Sequence, residues 1–322
     1  MAKTLDSLID SRNIRKTLIS KWECIPGSVW KVDWSCSSKD ISKSYGDQQV
    51  DNALKNGNAF ALSGTGARHG ALSRFPQDLC RFLTKFYSEE NEIVLDPFAG
   101  HNSRMESVFL TNRHYIGFDI CAEYMQFNRQ RATELKEKYA MSLLPIETSI
   151  TLHENDSRNI SNYVTAESVD FCITSPPFWN IEYYGPEKEQ LGKLSYDNFI
   201  ETIGEIVKSC ADALKPNKYI AWEVNDFRAN GKFYPYHRDT IENFEKAGLL
   251  MHDILIIDYG AAFLKSFLSD VDYLKIMPKQ HAYMIIGKKP GQKENTRIGH
   301  REELIEESKN KPIAIDEQTS FL

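Results

Sequence analysis

What the 322-residue chain has little of excludes several classes of function. No run of about eighteen apolar residues occurs, so a membrane-spanning helix is not expected. The start, MAKTLDSLIDSRN, is too polar for the apolar core of a secretory signal. The six cysteines, Cys24, Cys36, Cys80, Cys121, Cys172 and Cys210, form neither C-x-x-C pairs nor a regular spacing. A disulfide framework or zinc site is therefore not expected, no metal is assigned, and the usage fits a reducing, cytoplasmic setting. Cys172 lies inside an apolar run, where a thiol serves as a small core hydrophobe. A net positive charge is lacking as well. A net charge of -6 offers no global attraction to a polyanion, so any nucleic-acid surface must be local and its binding salt-sensitive.

What is present is an alternation. Seven short runs read as strands: EIVLDPF (92–98), HYIGFDI (114–120), ITLHEND (150–156), VDFCITS (169–175), KYIAWEV (218–224), LMHDILIID (250–258) and HAYMIIGKK (281–289). Helical patterns lie between them at 122–140, 196–215 and 238–248. The second of these spaces Phe199, Ile203, Ile206, Val207, Cys210 and Leu214 by threes and fours. Strand–helix alternation predicts an α/β fold, a seven-stranded Rossmann-like sheet that is mainly parallel, with helices on both faces. No helical pattern separates the last two strands, which predicts an antiparallel edge hairpin with an excursion over 259–280. Three units follow: an N-terminal extension (1–65), a central domain (66–290) and a polar C-terminal tail (291–322).

Four of the strands end in chemistry. In VLDPFAGHNS the first strand ends at Asp96 and enters a turn in which Gly100, without a Cβ, lets the backbone approach a ligand. The second strand ends at Asp119, an acid suited to the paired hydroxyls of a ribose, and the third near Asp156, suited to the edge of an adenine. Ligands of such sheets collect outside the carboxyl ends of the strands. There is no G-x-G-x-x-G and no Gly-Lys-Ser/Thr, and an acidic rim repels pyrophosphate. An adenosine-containing cofactor without phosphate fits, and S-adenosylmethionine is the obvious one. The alternative is an acid that merely caps a helix.

ITSPPFW follows a buried-looking strand. Pro176 and Pro177 fix φ and remove two backbone donors, which leaves stiffly aimed carbonyls. Ser175 adds a hydroxyl acceptor, and Phe178 offers a flat face for a planar ring. An exocyclic amine, with two hydrogens to donate, matches this set. The plainer reading is a proline-stiffened loop with one core aromatic.

Together, DPFAG and SPPF resemble the motifs of the amino-methylating DNA methyltransferases, which alkylate cytosine N4 or adenine N6. The likeness extends over about residues 66–290, in the order of the unpermuted fold. It implies a cofactor site at Asp96, Phe98, Ala99, Gly100 and Asn102, continued by Asp119, Ile120, Asp156 and Ser157. A Phe-Pro step at Phe75 is expected to enclose the methionine end. Asn102 stands where the family's turn usually has its second glycine. The resemblance makes Ser175, Pro176, Pro177 and Phe178 the catalytic tetrapeptide, and serine at its first position favours cytosine N4 over adenine N6. A flipped base is expected to stack on Phe178 and against Trp179. No covalent enzyme intermediate is needed.

Specificity requires further surface. Trp22, Trp30 and Trp34, interleaved with Arg15, Lys16, Lys21 and Lys31, either meet DNA or pack a small subdomain. The 179–193 loop is expected to close over the base, with Tyr183 and Tyr184 lining it or packing. Arg68, Arg74 and Arg104 are candidate phosphate contacts or surface decoration. His237 reads as a helix N-terminal residue. The expected partners are DNA and a cognate restriction enzyme or recognition partner. An RNA amine methyltransferase and an inactive nucleic-acid-binding regulator remain open.

Overall fold

Every second residue of the central strands is apolar toward one layer of helices, and the residues between are apolar toward another. The computed structural model, which describes residues 27–31, 75–100, 102–140, 146–180, 187–259, 275–277 and 279–291, accordingly has one large sheet covered on both faces. Its strands are β1 (Val29–Lys31), β2 (Ile93–Asp96), β3 (His114–Asp119), β4 (Ile150–Glu154), β5 (Val169–Thr174), β6 (Leu214–Val224), β9 (Leu250–Asp258) and β10 (His281–Lys288). A separate hairpin pairs β7 (Phe227–Ala229) with β8 (Lys232–Tyr234). The α-helices are α1 (Gln77–Tyr87), α2 (Ser103–Phe109), α3 (Ala122–Ala140), α4 (Tyr196–Ala213) and α5 (Tyr236–Lys246).

The strand order is β1-β9-β10-β6-β5-β2-β3-β4, and only β10 runs against its neighbours. Leu95, Cys172, Ile220, Trp222 and Ile285 face one core together with Phe199, Ile203, Val207 and Cys210 of α4 and Phe244 of α5. Val94, Phe171, Ile173, Ala221 and Met284 face the other, with Leu79 and Leu83 of α1, Met105 and Phe109 of α2, and Leu135 of α3. Two-sided burial is why these strands read as near-continuous apolar runs.

All seven expected strands are present, but the described sheet has eight. The addition, β1, is three residues long and pairs in parallel with β9. Trp30 stacks on Phe82 of α1 with ring centroids 5.0 Å apart, and its indole N–H donates to Asp78 at 3.2 Å. This tryptophan therefore packs against the domain. The antiparallel pairing of β9 with β10 is as expected, yet the pair is not the edge: β10 inserts between β6 and β9, and β1 covers β9. The hairpin β7–β8 was not anticipated, although its two-residue Asn230-Gly231 turn, with φ of 51° and 76°, is the strongest short hairpin signal in the chain.

From β2 the chain winds outward through β3 to β4, then crosses to β5 on the other side of β2. The carboxyl ends of β2 and β5 thus flank the point where strand order reverses, the crevice in which such sheets bind ligands.

Candidate active site

Asp96, the last residue of β2, is fully buried and accepts four hydrogen bonds. Thr174 Oγ1 at the end of β5 donates to Oδ1 at 2.7 Å and the Phe98 amide at 3.2 Å. Arg104 Nε at 2.7 Å and the Tyr115 hydroxyl at 2.9 Å donate to Oδ2. The Arg104 guanidinium also reaches the carbonyls of Phe98 and, at 3.4 Å, Ala99, and lies 5.2 Å from the Phe75 ring centre. Burial opposes the charge of Arg104, but Asp96 more than offsets it, so the guanidinium stays protonated. Arg104 is 5% exposed. It is not a phosphate contact or surface decoration: a cation in α2 that neutralises the buried acid cannot reach DNA. Asp96 likewise is no free acid on a rim but the hub that locks the turn. Phe75 sits in the core beneath Arg104, and Ala99, also buried, donates its amide to the Phe118 carbonyl at 2.7 Å.

Beyond the hub the turn is fastened to β3. Gly100, at φ 51°, donates its amide to Asp119 Oδ2 at 2.8 Å, and the Cys121 amide donates to Oδ1 at 2.8 Å. Burial pushes the Asp119 carboxyl up to about 6 despite these two amides. Asn128 of α3 donates to the Gly100 carbonyl at 2.9 Å. Asn102 is buried and donates to Glu106, itself paired with Arg131 at 2.8 Å, so the residue replacing the usual glycine serves the interior of α2.

A cleft opens between these elements. Phe98, Asp119, Ile120, Asp156, Ser157 and Ser175 line it, so it joins both motif strands. Ser157 donates to the Pro97 carbonyl, tying the β4 tip to the turn. Asp156 caps the 3-10 turn Ser157–Asn162 through the Arg158 amide at 2.9 Å, and the Arg158 guanidinium takes both its oxygens, the closest at 2.6 Å. Burial acts against its charge, but Arg158 holds its carboxyl below the ordinary range. A ring amine would have to share that acceptor. Tyr124, Leu191 and Ile206 add apolar surface and Glu189 a third acid; sequence reasoning missed all four. Tyr124 had a signal, as an aromatic in the first turn after the β3 acid. Residues 189–191, part of the loop expected over the base, line the cleft that Asp119 and Asp156 border.

The SPPF turn stands beside it. The Ser175 hydroxyl lies near the buried Glu223 carboxylate of β6, which accepts from Tyr259. Burial raises the Glu223 carboxyl above its ordinary value, and these two hydroxyls work against that rise. A serine hydroxyl that donates toward this carboxylate keeps its lone pairs for an external donor. Pro176 is buried, Pro177 lines the cavity, and Phe178 is half-buried against the core under α4. Trp179 departs from expectation. At φ 51° its chain turns sharply, and the ring, 8% exposed, packs on Tyr196, Phe227 and Tyr234 at 5.2–5.9 Å and donates to the Leu194 carbonyl at 2.9 Å. It is a buried anchor, unavailable to stack on a base. His237 does begin a helix, and its Nδ1 lies 2.6 Å from Asp226. Arg68, Arg74, Tyr183, Tyr184, most of 1–65, the 260–274 excursion and the tail from 292 lie outside the described residues.

The donor set fits an uncharged adenosine group. A carboxylate fixed by two amides faces the cavity, apolar side chains flank it, and among the described lining residues there are three acids and no lysine or arginine to receive a phosphate. Among the described residues no histidine, cysteine and carboxylate cluster could hold a metal, and no helix is long and apolar enough to cross a membrane. Fold and site together define an α/β protein whose β2 and β5 turns border one acidic, partly apolar cleft at the switch point.

Residues 11–130 and 169–317 match the model of the N6/N4 DNA methylase family, and the chain belongs to that family. Its methyl donor is S-adenosylmethionine. The chain is 28% identical over 137 residues to the orphan methyltransferase M.BamHII of Bacillus amyloliquefaciens, covering 40% of this chain and 48% of that one. It is 31% identical over 64 residues to the type II beta methyltransferase M.BslI of a Bacillus species, covering 20% and 7%. The matches thus span less than half the length of these relatives. Among solved structures, TrmN from Thermus thermophilus superposes with a TM-score of 0.45 at 12% identity, covering 71% of this chain and 53% of that one. A SAM-dependent methyltransferase from Methanosarcina mazei gives 0.44 at 13%, covering 69% and 100%.

Proposed function

We propose that this protein transfers a methyl group from S-adenosylmethionine to the exocyclic amine of a base flipped out of DNA, cytosine N4 in preference to adenine N6. The observation that carries the reading is the junction of the two motifs. The 2.7 Å bond from Thr174 to Asp96 joins the strand tips, and Asp119 and Ser175 border one cavity. Serine at the head of the tetrapeptide supports cytosine.

In this reading Asp119 accepts from the ribose hydroxyls, while Ile120 and Tyr124 flank the adenine. Bound there, S-adenosylmethionine supplies an electrophilic methyl. The chain's own task is to prepare the amine, whose lone pair is conjugated with the ring and poorly nucleophilic. Ser175, held by Glu223, accepts one amine hydrogen and the Pro176 carbonyl the other, which favours a pyramidal nitrogen with a localised lone pair. Phe178 supports the ring. Ser175 is too weakly basic to remove a proton beforehand, so the proton leaves after methylation, when the alkylated amine is acidic. Most of the acceleration comes from alignment and fixed dipoles. A cognate restriction enzyme is the partner expected of a site-specific enzyme of this kind.

The test is nucleoside mass spectrometry of DNA from cells expressing the chain. N4-methylcytosine supports the reading in full, and N6-methyladenine moves the target base. Methylated RNA with unmodified DNA overturns it.

A further inference from the structure

The hairpin β7–β8 has no part in the cavity, yet the fold sets it beside the SPPF turn. Thr174 is in register with Trp222, two residues before β6 ends, and from there the chain runs through Asn225 and Asp226 straight into the hairpin. β10 approaches the same edge from the other direction, with Tyr283 opposite Val224, so Lys279 arrives beside it. The hairpin root is welded to the catalytic turn: Trp179, the residue after Phe178, stacks on Phe227 at 5.9 Å and meets Tyr234 at 5.2 Å, and those two rings stack on each other at 5.4 Å.

The outward residues have a different character from the root. Arg228, Lys232 and Phe233 are exposed, Phe233 to 41%. Arg228 stands opposite Phe233 in register, and its guanidinium and the Lys279 ammonium each lie 5.1 Å from that ring; Lys232 lies 4.9 Å from Tyr234. Neither Arg228 nor Lys232 pairs with a carboxylate among the described residues. Residues 227–234 contain no acid, and Asp226 just before them is buried on His237 and Lys279, at 2.6 and 3.4 Å. Aromatic rings that hold cationic stems in place lower the entropy lost when the charges meet a ligand. In a chain of net charge -6 the hairpin itself carries two cations, an exposed flat ring and no acid, while the groove on its α4–α5 side balances Asp197, Glu201, Asp239 and Glu242 against Lys208, Lys232, Arg238 and Lys246.

We propose that the β7–β8 hairpin grips the phosphodiester backbone of duplex DNA next to the target base. Arg228 and Lys232 contact phosphates, Phe233 lies against a sugar or base, and Trp179 keeps this grip in register with Phe178 and Ser175. The proposal rests on the DNA reading above.

The test is fluorescence anisotropy of the full chain with a labelled duplex across a salt series, alongside calorimetry with S-adenosylmethionine. For R228A/K232A the affinity at 0.1 M salt is expected to fall roughly 10- to 100-fold. The slope of log K against log salt should shrink by about 1.8, from about 0.9 per phosphate. Cofactor affinity should stay unchanged. K136A/K138A removes the same charge from α3, on the β3–β4 side of the sheet, and is expected to bind DNA within about twofold of the parent. If the parent binds and methylates DNA but R228A/K232A keeps its affinity and slope, or if both double variants lose equally, the hairpin assignment alone is overturned. If the parent binds cofactor but no duplex, the DNA reading falls and the hairpin assignment with it. Binding of acidic peptides but not duplex by the same residues likewise refutes it.

Discussion

Arg104→Met keeps most of the side chain's length while deleting the cation that neutralises Asp96. Four contacts are lost: the 2.7 Å ion pair, the bonds to the Phe98 and Ala99 carbonyls, and the approach to the Phe75 ring. They overlap, so their energies do not add. The dominant cost is the uncompensated Asp96 carboxylate in a site without solvent exposure, and breaking one side of such a buried pair costs about 3–5 kcal/mol. Against a total stability of about 5–15 kcal/mol, that is enough to move a urea midpoint visibly. Arg104→Lys retains charge but not the planar fork, so it should lose about 1–3 kcal/mol. Combining Arg104→Met with Asp96→Asn should cost less than the sum of the two, because the second change removes the stranded charge. The assay is urea unfolding of all four variants with duplex affinity measured in parallel. Full stability in Arg104→Met together with weakened DNA binding would refute the reasoning and restore the residue as a phosphate contact.

Cofactor affinity should weaken as pH falls through about 6, because Asp119 loses acceptor capacity as it is protonated. The same raised carboxyl binds its proton more tightly folded than unfolded, so on its own it favours folding as pH drops from 6 toward 4 and opposes it above. Calorimetry from pH 5 to 8 checks the binding, and in Asp119→Asn this acid limb should disappear along with much of the affinity. Ser175→Ala should lower kcat by about 100- to 1,000-fold with cofactor affinity retained; equal loss of both contradicts its role. Glu223→Gln, which leaves Ser175 in place but removes the carboxylate that orients it, should lower kcat and shift the acid side of the kcat profile without changing cofactor Kd. Trp179→Ala should cost about 3–5 kcal/mol in urea unfolding, as for other buried large aromatics, and a variant of wild-type stability would show that the ring is not the anchor described.

Legibility in the sequence followed the physics of each signal. Strands buried on two faces announce themselves as continuous apolar runs, so all seven were readable, and α4 was readable from its three- and four-residue spacing. β1 was not: three residues around one tryptophan hold no period, and only pairing with β9 makes them a strand. The hairpin was readable in principle from Asn230-Gly231 but lay between stronger elements. At the site, the residue types were legible and their directions were not. An aspartate at a strand tip looks the same in one dimension whether it lines a cleft, as Asp119 does, or faces an arginine, as Asp96 does. Arg104 and Trp179 were misassigned for the same reason, since a cation and an aromatic next to catalytic motifs serve as well inside as outside.

The two charged surfaces at the carboxyl edge belong to one design. On the proposed function, a polyanionic substrate delivers a single base to a crevice whose described lining holds Asp119, Asp156 and Glu189 and no cation. Those acids suit adenosine hydroxyls but repel phosphates, so the backbone has to be held elsewhere, about a Debye length of roughly 8 Å or more from them at physiological salt. Neutralising Asp96 internally with Arg104 limits the negative field at the strand tips, and exporting the free cations to the β7–β8 hairpin gives the backbone its own seat. The aromatic root around Trp179 then fixes the distance between that seat and Ser175. On this logic the acidic cavity and the basic hairpin are mutually dependent. Lengthening the Asn230-Gly231 turn, which leaves every charge in place, should disturb methylation less than softening the root with Tyr234→Ala, because register is set where the rings stack and not at the tip.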